Sequence, residues 1–277
     1  MTVALRSVAL AVPSLSSALE RLGNLGLPAV EVEGSSDEAG VRCVGVGRQR
    51  LELWDRKALV SLESAAPGPF PFITLSADSR AAGRALGAGL RKDRSAWLTI
   101  DALGATVRIV EHRDVECSVG DTGLFRIESL PWAVTDRARA REELHDALGI
   151  DPSPDYSDLV FPELRTTNTL FFLGDESYLD ANESIDGRGP IAKQVADRGS
   201  GQFAIVLEPR DMDQAVAQIR QRGVPTLTPA PIELGVRWRD GTDGIAARIL
   251  AIDPSYLFGA RVFISEPTFP WPLNRKE

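Results

Sequence analysis

The feature that most constrains this chain is an order of elements repeated four times: an extended run, a helix-like stretch, then paired extended runs. The first copy opens with SVALAV (7–12) closed by Pro13. Ser14 then caps a helix carrying Leu15, Ala18, Leu19 and Leu22 at helical spacing, and strands follow at 41–48 and 50–55. The proline-glycine segment AAPGPFP (65–71) reads as a linker. FITLSA, an alanine-rich helix predicted over 78–90, and two strands around the Ala102–Gly104 turn make a shorter second copy. The third runs from LFRIESLPWAV (124–134) into a helix with Ala138, Leu144 and Leu148 predicted inward, then strands near 167–174 and 177–183. The fourth has QFAIVLEP, then a helix begun by Asp211 with Gln214 at capping-box spacing. Its Met212, Ala215, Val216 and Ile219 face inward, Gly223 stops it, and ARILAID and GARVFISEP follow. Residues 268–277 read as a tail.

The halves also align in register. Arg6–Val12 matches Glu128–Val134 with Ser7 over Ser129, and Glu52 in RLELWD matches Asp180 in YLDANE, offsets of 122 and 128 residues. The expectation is an α+β protein with residues 1–120 as one half and 121–277 as the other. Asp180 stands out because it is an acid in mid-strand, where an apolar or neutral residue is usual.

Composition removes several function classes. A formal net charge of −8 argues against a nucleic-acid or anionic-membrane surface, both of which need clustered Lys and Arg. No run reaches the roughly 18 apolar residues of a membrane helix. Met1–Leu15 reads as a first strand, not a signal peptide. Cys43 and Cys117 lie far apart and form no metal or disulfide framework, so the expected setting is reducing and cytoplasmic. GVG at 45–47 lies between strands, which rejects a dinucleotide fingerprint.

Gly189-Pro190-Ile191-Ala192-Lys193 and Arg198-Gly199-Ser200-Gly201 resemble the SPIAKFLEKRGEG segment of methylmalonyl-CoA epimerases, and Leu173-Gly174-Asp175 before the acidic strand fits as well. With the fourfold order, the chain resembles the vicinal oxygen chelate superfamily of glyoxalases, epimerases, extradiol dioxygenases and bleomycin-resistance proteins. The likeness is good over 165–225, moderate over 1–56 and architectural elsewhere. It implies four βαβββ-type modules paired into two curved, cup-shaped mixed sheets, the better-preserved pocket lying in the second half. It also implies a divalent metal held by His, Gln or Glu at four strand positions, with two vicinal substrate oxygens bound to it.

Those positions fall on Ser7, Glu52, Phe72 and Arg108 in the first half, and on Ser129, Asp180, Ala204 and Phe263 in the second. One acid facing an arginine predicts a Glu52–Arg108 ion pair. In the second half, Gln202 shares the strand face of Ala204, but Asp180 remains the one strong donor. The expectation is no metal and no cofactor, which disfavours the glyoxalase and dioxygenase chemistries. His112 and His145 are expected at the surface.

Asp180 is the candidate catalytic base for proton abstraction beside a carbonyl. Glu183, three residues on, points to the other sheet face and forms no acid pair with it. The expected ligand-binding set is Ser129, Gln202, Ala204, Phe263, Trp132 and Glu52, with Trp54 and Trp238 as further pocket candidates and helix IAKQVADR as a lid. The predicted function is a metal-independent isomerase or lyase acting on a small molecule. The alternatives are a sequestering protein of the antibiotic-resistance kind or a degenerate interaction module. Expected partners are a small-molecule ligand and a second copy in a homodimer, with no nucleic acid and no membrane.

Overall fold

Two mixed sheets, one open and one closed, divide the chain in sequence order. The computed structural model describes residues 3–32, 39–60, 62, 68–77, 95–111 and 120–268. The helix expected over 78–90, His112, Cys117 and all but the first residue of the expected tail lie outside the described residues.

The first sheet contains β1 (Val3–Val12), β2 (Ala29–Val30), β3 (Val41–Val46), β4 (Gln49–Asp55), β5 (Ile73–Ala77), β6 (Ser95–Ile100) and β7 (Ala105–Glu111). Their spatial order is β2-β3-β4-β1-β5-β7-β6, with edges at β2 and β6. Helix α1 (Leu15–Asn24) crosses from β1 toward the strands that end in β4, which lies parallel to β1. The Ser14 side chain caps α1, and Ala18 and Leu22 are buried beneath it. A single turn, α2 (Arg56–Leu59), follows β4.

The second sheet contains β8 (Leu124–Val134), β9 (Ser157–Phe161), β10 (Thr166–Phe172), β11 (Tyr178–Ser184), β12 (Gly201–Gln202), β13 (Ile205–Pro209), β14 (Ile232–Arg237), β15 (Asp243–Ala251) and β16 (Val262–Pro267). Strand β11 bonds back to β8, so β8-β11-β10-β9-β14-β15-β16-β13 closes into a barrel. The β9–β14 seam is held by the single pairing of Val160 with Arg237. Three helices serve this half: α3 (Arg137–Leu148), α4 (Gly189–Arg198) and α5 (Met212–Gln221). On α3 the inward residues are Ala140, Leu144 and Leu148. Ala138 is exposed, two residues off the expected face, because the i, i+4, i+8 stripe starts at Ala140. The α5 residues predicted inward are all buried, and Asp211 Oδ1 accepts from Gln214 N at 2.9 Å. Strands β9 and β14 were not foreseen; IELGVR is mostly exposed and lacks the alternation that marks a strand.

The pairing recurs between the two sheets at corresponding positions. Ala9 pairs with Glu52 across β1–β4, and Pro131 pairs with Asp180 across β8–β11, positions related by the same two offsets. A bulge is duplicated too. The β1–β5 register skips Arg6, between Leu5 and Ser7, and the β8–β13 register skips Glu128, between Ile127 and Ser129.

One buried cluster takes side chains from both sheets, from Leu10 and Leu53 to Leu130 and Ile264. Gln49 ties the sheets: its Nε2 donates to Asp175 Oδ2 at 2.7 Å and its Oε1 accepts from Ile127 N at 2.5 Å. Gly47 has φ +59°, and a Cβ there would lie 1.7 Å from the Phe125 carbonyl oxygen. A Gly47→Ala variant is therefore expected to lose about 2 kcal/mol or more, from left-handed strain plus a backbone clash. Gly23→Ala, in α1 with open space around it, should be neutral or slightly stabilising. Urea denaturation of the pair checks this, and equal midpoints would rule the contact out. No helix among the described residues is long and apolar enough to cross a membrane.

Candidate functional site

The closed barrel encloses a cavity of about 110 Å³. Phe161, Phe203 and Phe263 supply aromatic walls, and Pro190 and Ile191 at the start of α4 cover one side, the position expected of a lid. Into this apolar surround project Glu128, Ser129, Tyr178 and Asp180, while no lysine or arginine lines it.

The bulge in β8 explains the polar group. Strict alternation sends neighbouring residues to opposite faces. The extra residue at Glu128 breaks the alternation, and both Glu128 and Ser129 reach the cavity. Across the β8–β11 pairing Tyr178 stands beside Ser129, and Asp180 lies two residues further along β11 on the same face.

Asp180 is held on one side only. Its Oδ2 accepts from Asn168 Nδ2 at 3.0 Å, and the same Nδ2 lies 2.7 Å from Asn182 Oδ1. Asn182 Nδ2 donates to the Asp180 carbonyl at 2.7 Å, which fixes the strand end. Oδ1 is buried and has no hydrogen-bond partner among the described residues. Burial pushes the carboxyl up to about 7, against smaller lowering by Asn182, Asn168 and the charge of Arg137. Arg137 itself is engaged with Asp158, Thr169 and Glu183. Glu183 is thus on the other face, as expected, and forms no acid pair with Asp180.

Glu128 is similarly placed. Tyr178 Oη donates to its Oε1 at 3.1 Å, while Oε2 is buried without a partner among the described residues. Burial raises this carboxyl to about 7; the Glu208 charge adds to the rise, and Ser265, Tyr178 and Arg126 oppose it. Burial, and then the charges of Glu128 and Asp180, push the Tyr178 hydroxyl well above its usual range. Tyr178 therefore stays a neutral donor.

Of the residues named from the sequence, Ser129, Asp180 and Phe263 line the cavity. Ala204 packs behind the wall with Ala133, Ile191 and Phe203, and Val206 takes the place opposite Ser129. Gln202 sits outside the lining on β12, paired with Trp132, and its Nε2 donates to the Ala204 carbonyl at 3.1 Å. Trp132 is buried in the main core, on the opposite face of β8 from Pro131. Trp238 packs edge-on against Tyr156, outside the lining. His145 is exposed and pairs with Asp151 at 2.9 Å. Glu128 and Tyr178 were missed: alternation hides Glu128 on the wrong face, and the letters carry no sign of a bulge.

Glu52 lies in the other sheet, where the corresponding site is filled by the predicted ion pair. Arg108 Nη2 donates to Glu52 Oε1 at 2.7 Å and Arg108 Nε to Thr74 Oγ1 at 3.1 Å. Ser7 Oγ and Trp54 Nε1 also donate to the Glu52 carboxylate, at 2.5 and 3.3 Å. Thr74 pairs with Arg108 as Val206 pairs with Phe263, so the guanidinium occupies the register position that a phenyl ring holds in the cavity half.

Residues 130–242 match the family model of the Glyoxalase/Bleomycin resistance protein/Dioxygenase superfamily. The match lies within the second half of the chain. No curated protein matches the chain. Among solved structures, a mutant 4-hydroxymandelate synthase from Streptomyces coelicolor is similar over 96% of this chain and 93% of its own, with a TM-score of 0.65 at 12% identity. That likeness is one of fold. Methylmalonyl-CoA epimerase from Mycobacterium tuberculosis is 21% identical over 55% of this chain and 94% of its own, with a TM-score of 0.47.

The divalent metal that the resemblance implies calls for a test of the donors. At the four corresponding positions of the barrel stand Ser129, Asp180, Ala204 and Phe263, a single carboxylate among a hydroxyl and two apolar groups. Among the described residues no group of three or more His, Cys, Asp or Glu is arranged for a metal ion. Even with Glu128 from the bulge beside Asp180, two carboxylates and the Ser129 hydroxyl fall short of the His, Gln or Glu set that the resemblance implies, and do not fit its divalent metal.

Proposed function

We propose that the barrel formed from residues 121–277 holds a small organic molecule and that Asp180 accepts a proton from it without a divalent metal, with residues 1–120 as a supporting half. The observation that carries this reading is the unpartnered Oδ1 of a buried carboxyl in an otherwise largely apolar cavity. A carboxyl raised to about 7 is a far stronger base than an exposed one and is still ionised in part at neutral pH. Asn168 orients it through Oδ2, leaving the other oxygen for a ligand proton. Such a site suits proton abstraction beside a carbonyl, the opening step of isomerase and lyase reactions.

Sequestration is the second reading. It is favoured by the absence of lysine or arginine from the lining among the described residues, since an abstracted proton leaves negative charge that only neutral groups such as Ser129, Ser265 and Tyr178 are there to stabilise. Asp180→Asn separates the two. If the site is catalytic, turnover of a carbonyl substrate found by screening drops about 10²–10⁴-fold while affinity stays within about threefold. A wild-type protein that retains its ligand unchanged after prolonged incubation supports sequestration and rules out catalysis on that ligand. The protein is taken to work in the cytoplasm, consistent with Cys43 being a buried free thiol.

A further inference from the structure

We infer that the molecule held in the barrel is an organic amine, bound as its ammonium ion between the free oxygens of Glu128 and Asp180. The inference rests on the sequestration reading of the cavity, since an ammonium on Asp180 Oδ1 occupies the oxygen a base would use, and it adds the charge of the ligand.

Both acceptors are built into the wall. Glu128 is 2% exposed and Asp180 8% exposed, and each has one oxygen, Oε2 and Oδ1, with no hydrogen bond of normal geometry among the described residues, although the Ser265 hydroxyl lies near enough to Glu128 to favour its charged form. Their remaining oxygens are already used, by Tyr178 and Asn168 respectively. Buried polar atoms rarely go unpartnered, and two on one cavity point to donors brought by a ligand. Tyr178 connects the two acids: it hydrogen-bonds Glu128, it is two residues from Asp180 on the same face of β11, and it feels the charge of both.

The sign of the ligand follows from the lining. It carries two acids and no base, so an anion meets uncompensated repulsion at low dielectric. A primary ammonium brings three N–H donors and a positive charge, enough for both oxygens with one donor left for the Ser129 hydroxyl. Phe161, Phe203 and Phe263 offer ring faces to the organic part and to the cation. Burial holds both acids near 7 in the free protein, and a bound cation favours their ionised forms.

The test is calorimetric titration of the full chain at pH 7 with benzylamine, benzyl alcohol and benzoate, which share one ring and differ in charge. Moderate salt, about 0.3 M, screens nonspecific attraction to the acidic surface. Benzylamine is expected to bind at least about tenfold more tightly than the alcohol, and benzoate more weakly than either. Glu128→Gln and Asp180→Asn are each expected to cut the amine-to-alcohol ratio at least about fivefold while leaving alcohol affinity within about threefold. Ala246→Leu, which narrows the cavity, should weaken both amine and alcohol. If the alcohol binds as well as the amine and Ala246→Leu weakens it, the ammonium inference falls while the small-molecule cavity stands. An amine preference that survives both acid substitutions also overturns the inference. If none of the three probes binds, the inference and the reading beneath it fall together.

Discussion

The ligand-free protein is expected to lose stability as the pH rises from about 4 to about 8, the reverse of the usual acid-side behaviour of carboxylates. Asp180 and Glu128 start from ordinary values of 3.8 and 4.5 and are both carried to about 7 by burial. Between those limits the folded protein holds protons that the unfolded chain has released, so the stability slope against pH is negative. Below the unfolded values nothing is lost; above the folded values the full cost of two buried, half-satisfied carboxylates is present. For Asp180 alone the shift corresponds to about 4 kcal/mol, and for Glu128 to about 3 kcal/mol. Asp180→Asn and Glu128→Gln should each flatten the profile and be more stable than the wild type at pH 8, yet similar to it near pH 4. The exposed Asp121 and Asp186 are lowered by Arg222 and Arg165, and so act in the opposite sense on the acid side of this window. Urea denaturation at a series of pH values reads the effect. A flat or rising wild-type profile between pH 5 and 8 would exclude it.

Arg108→Met is expected to destabilise the protein by about 3 kcal/mol or more, because it leaves the Glu52 carboxylate uncompensated in the first sheet. Glu52 is 3% exposed, and Arg108 supplies its one short ionic contact, at 2.7 Å. Arg50 Nε lies 3.7 Å from Glu52, beyond hydrogen-bonding distance, and replaces only part of the loss. The guanidinium also packs over the rings of Phe72 and Trp97, at 5.4 and 5.9 Å from their centroids. A methionine keeps much of that packing, so the cost reports the charge. The decisive comparison is Glu52→Gln with Arg108→Met, which removes the stranded charge and should recover part of the loss. If the double variant is no better than Arg108→Met alone, the uncompensated charge is not the cause.

The ion pair also marks how far the sequence reaches. Glu52 and Arg108 were brought together by the ligand positions that the family resemblance implies, where an acid and an arginine replace metal donors, and the structure pairs them. The same resemblance named Ser129, Asp180 and Phe263, which share one surface in the structure. Helix caps at Ser14 and Asp211 were equally legible, since a cap depends on a few consecutive residues.

Gln202 and Trp132 show where local reading fails. Both sit near the right strand, but which face of β8 and β12 meets the cavity is a property of packing, and Trp132 turns to the core. Glu128 fails for a second reason. A one-residue bulge inverts the alternation, and the energy that favours it comes from strand partners more than 70 residues away.

From the sequence alone came the α+β class, the strand-helix-strand order of the described modules and the acid in mid-strand, because each depends on residue types at fixed spacing. Closure of β11 onto β8, the bulge at Glu128, and the burial that leaves Glu128 Oε2 and Asp180 Oδ1 without donors were decided by the tertiary structure. Those features are set by long-range pairing and solvent exclusion, which no stretch of the chain contains by itself.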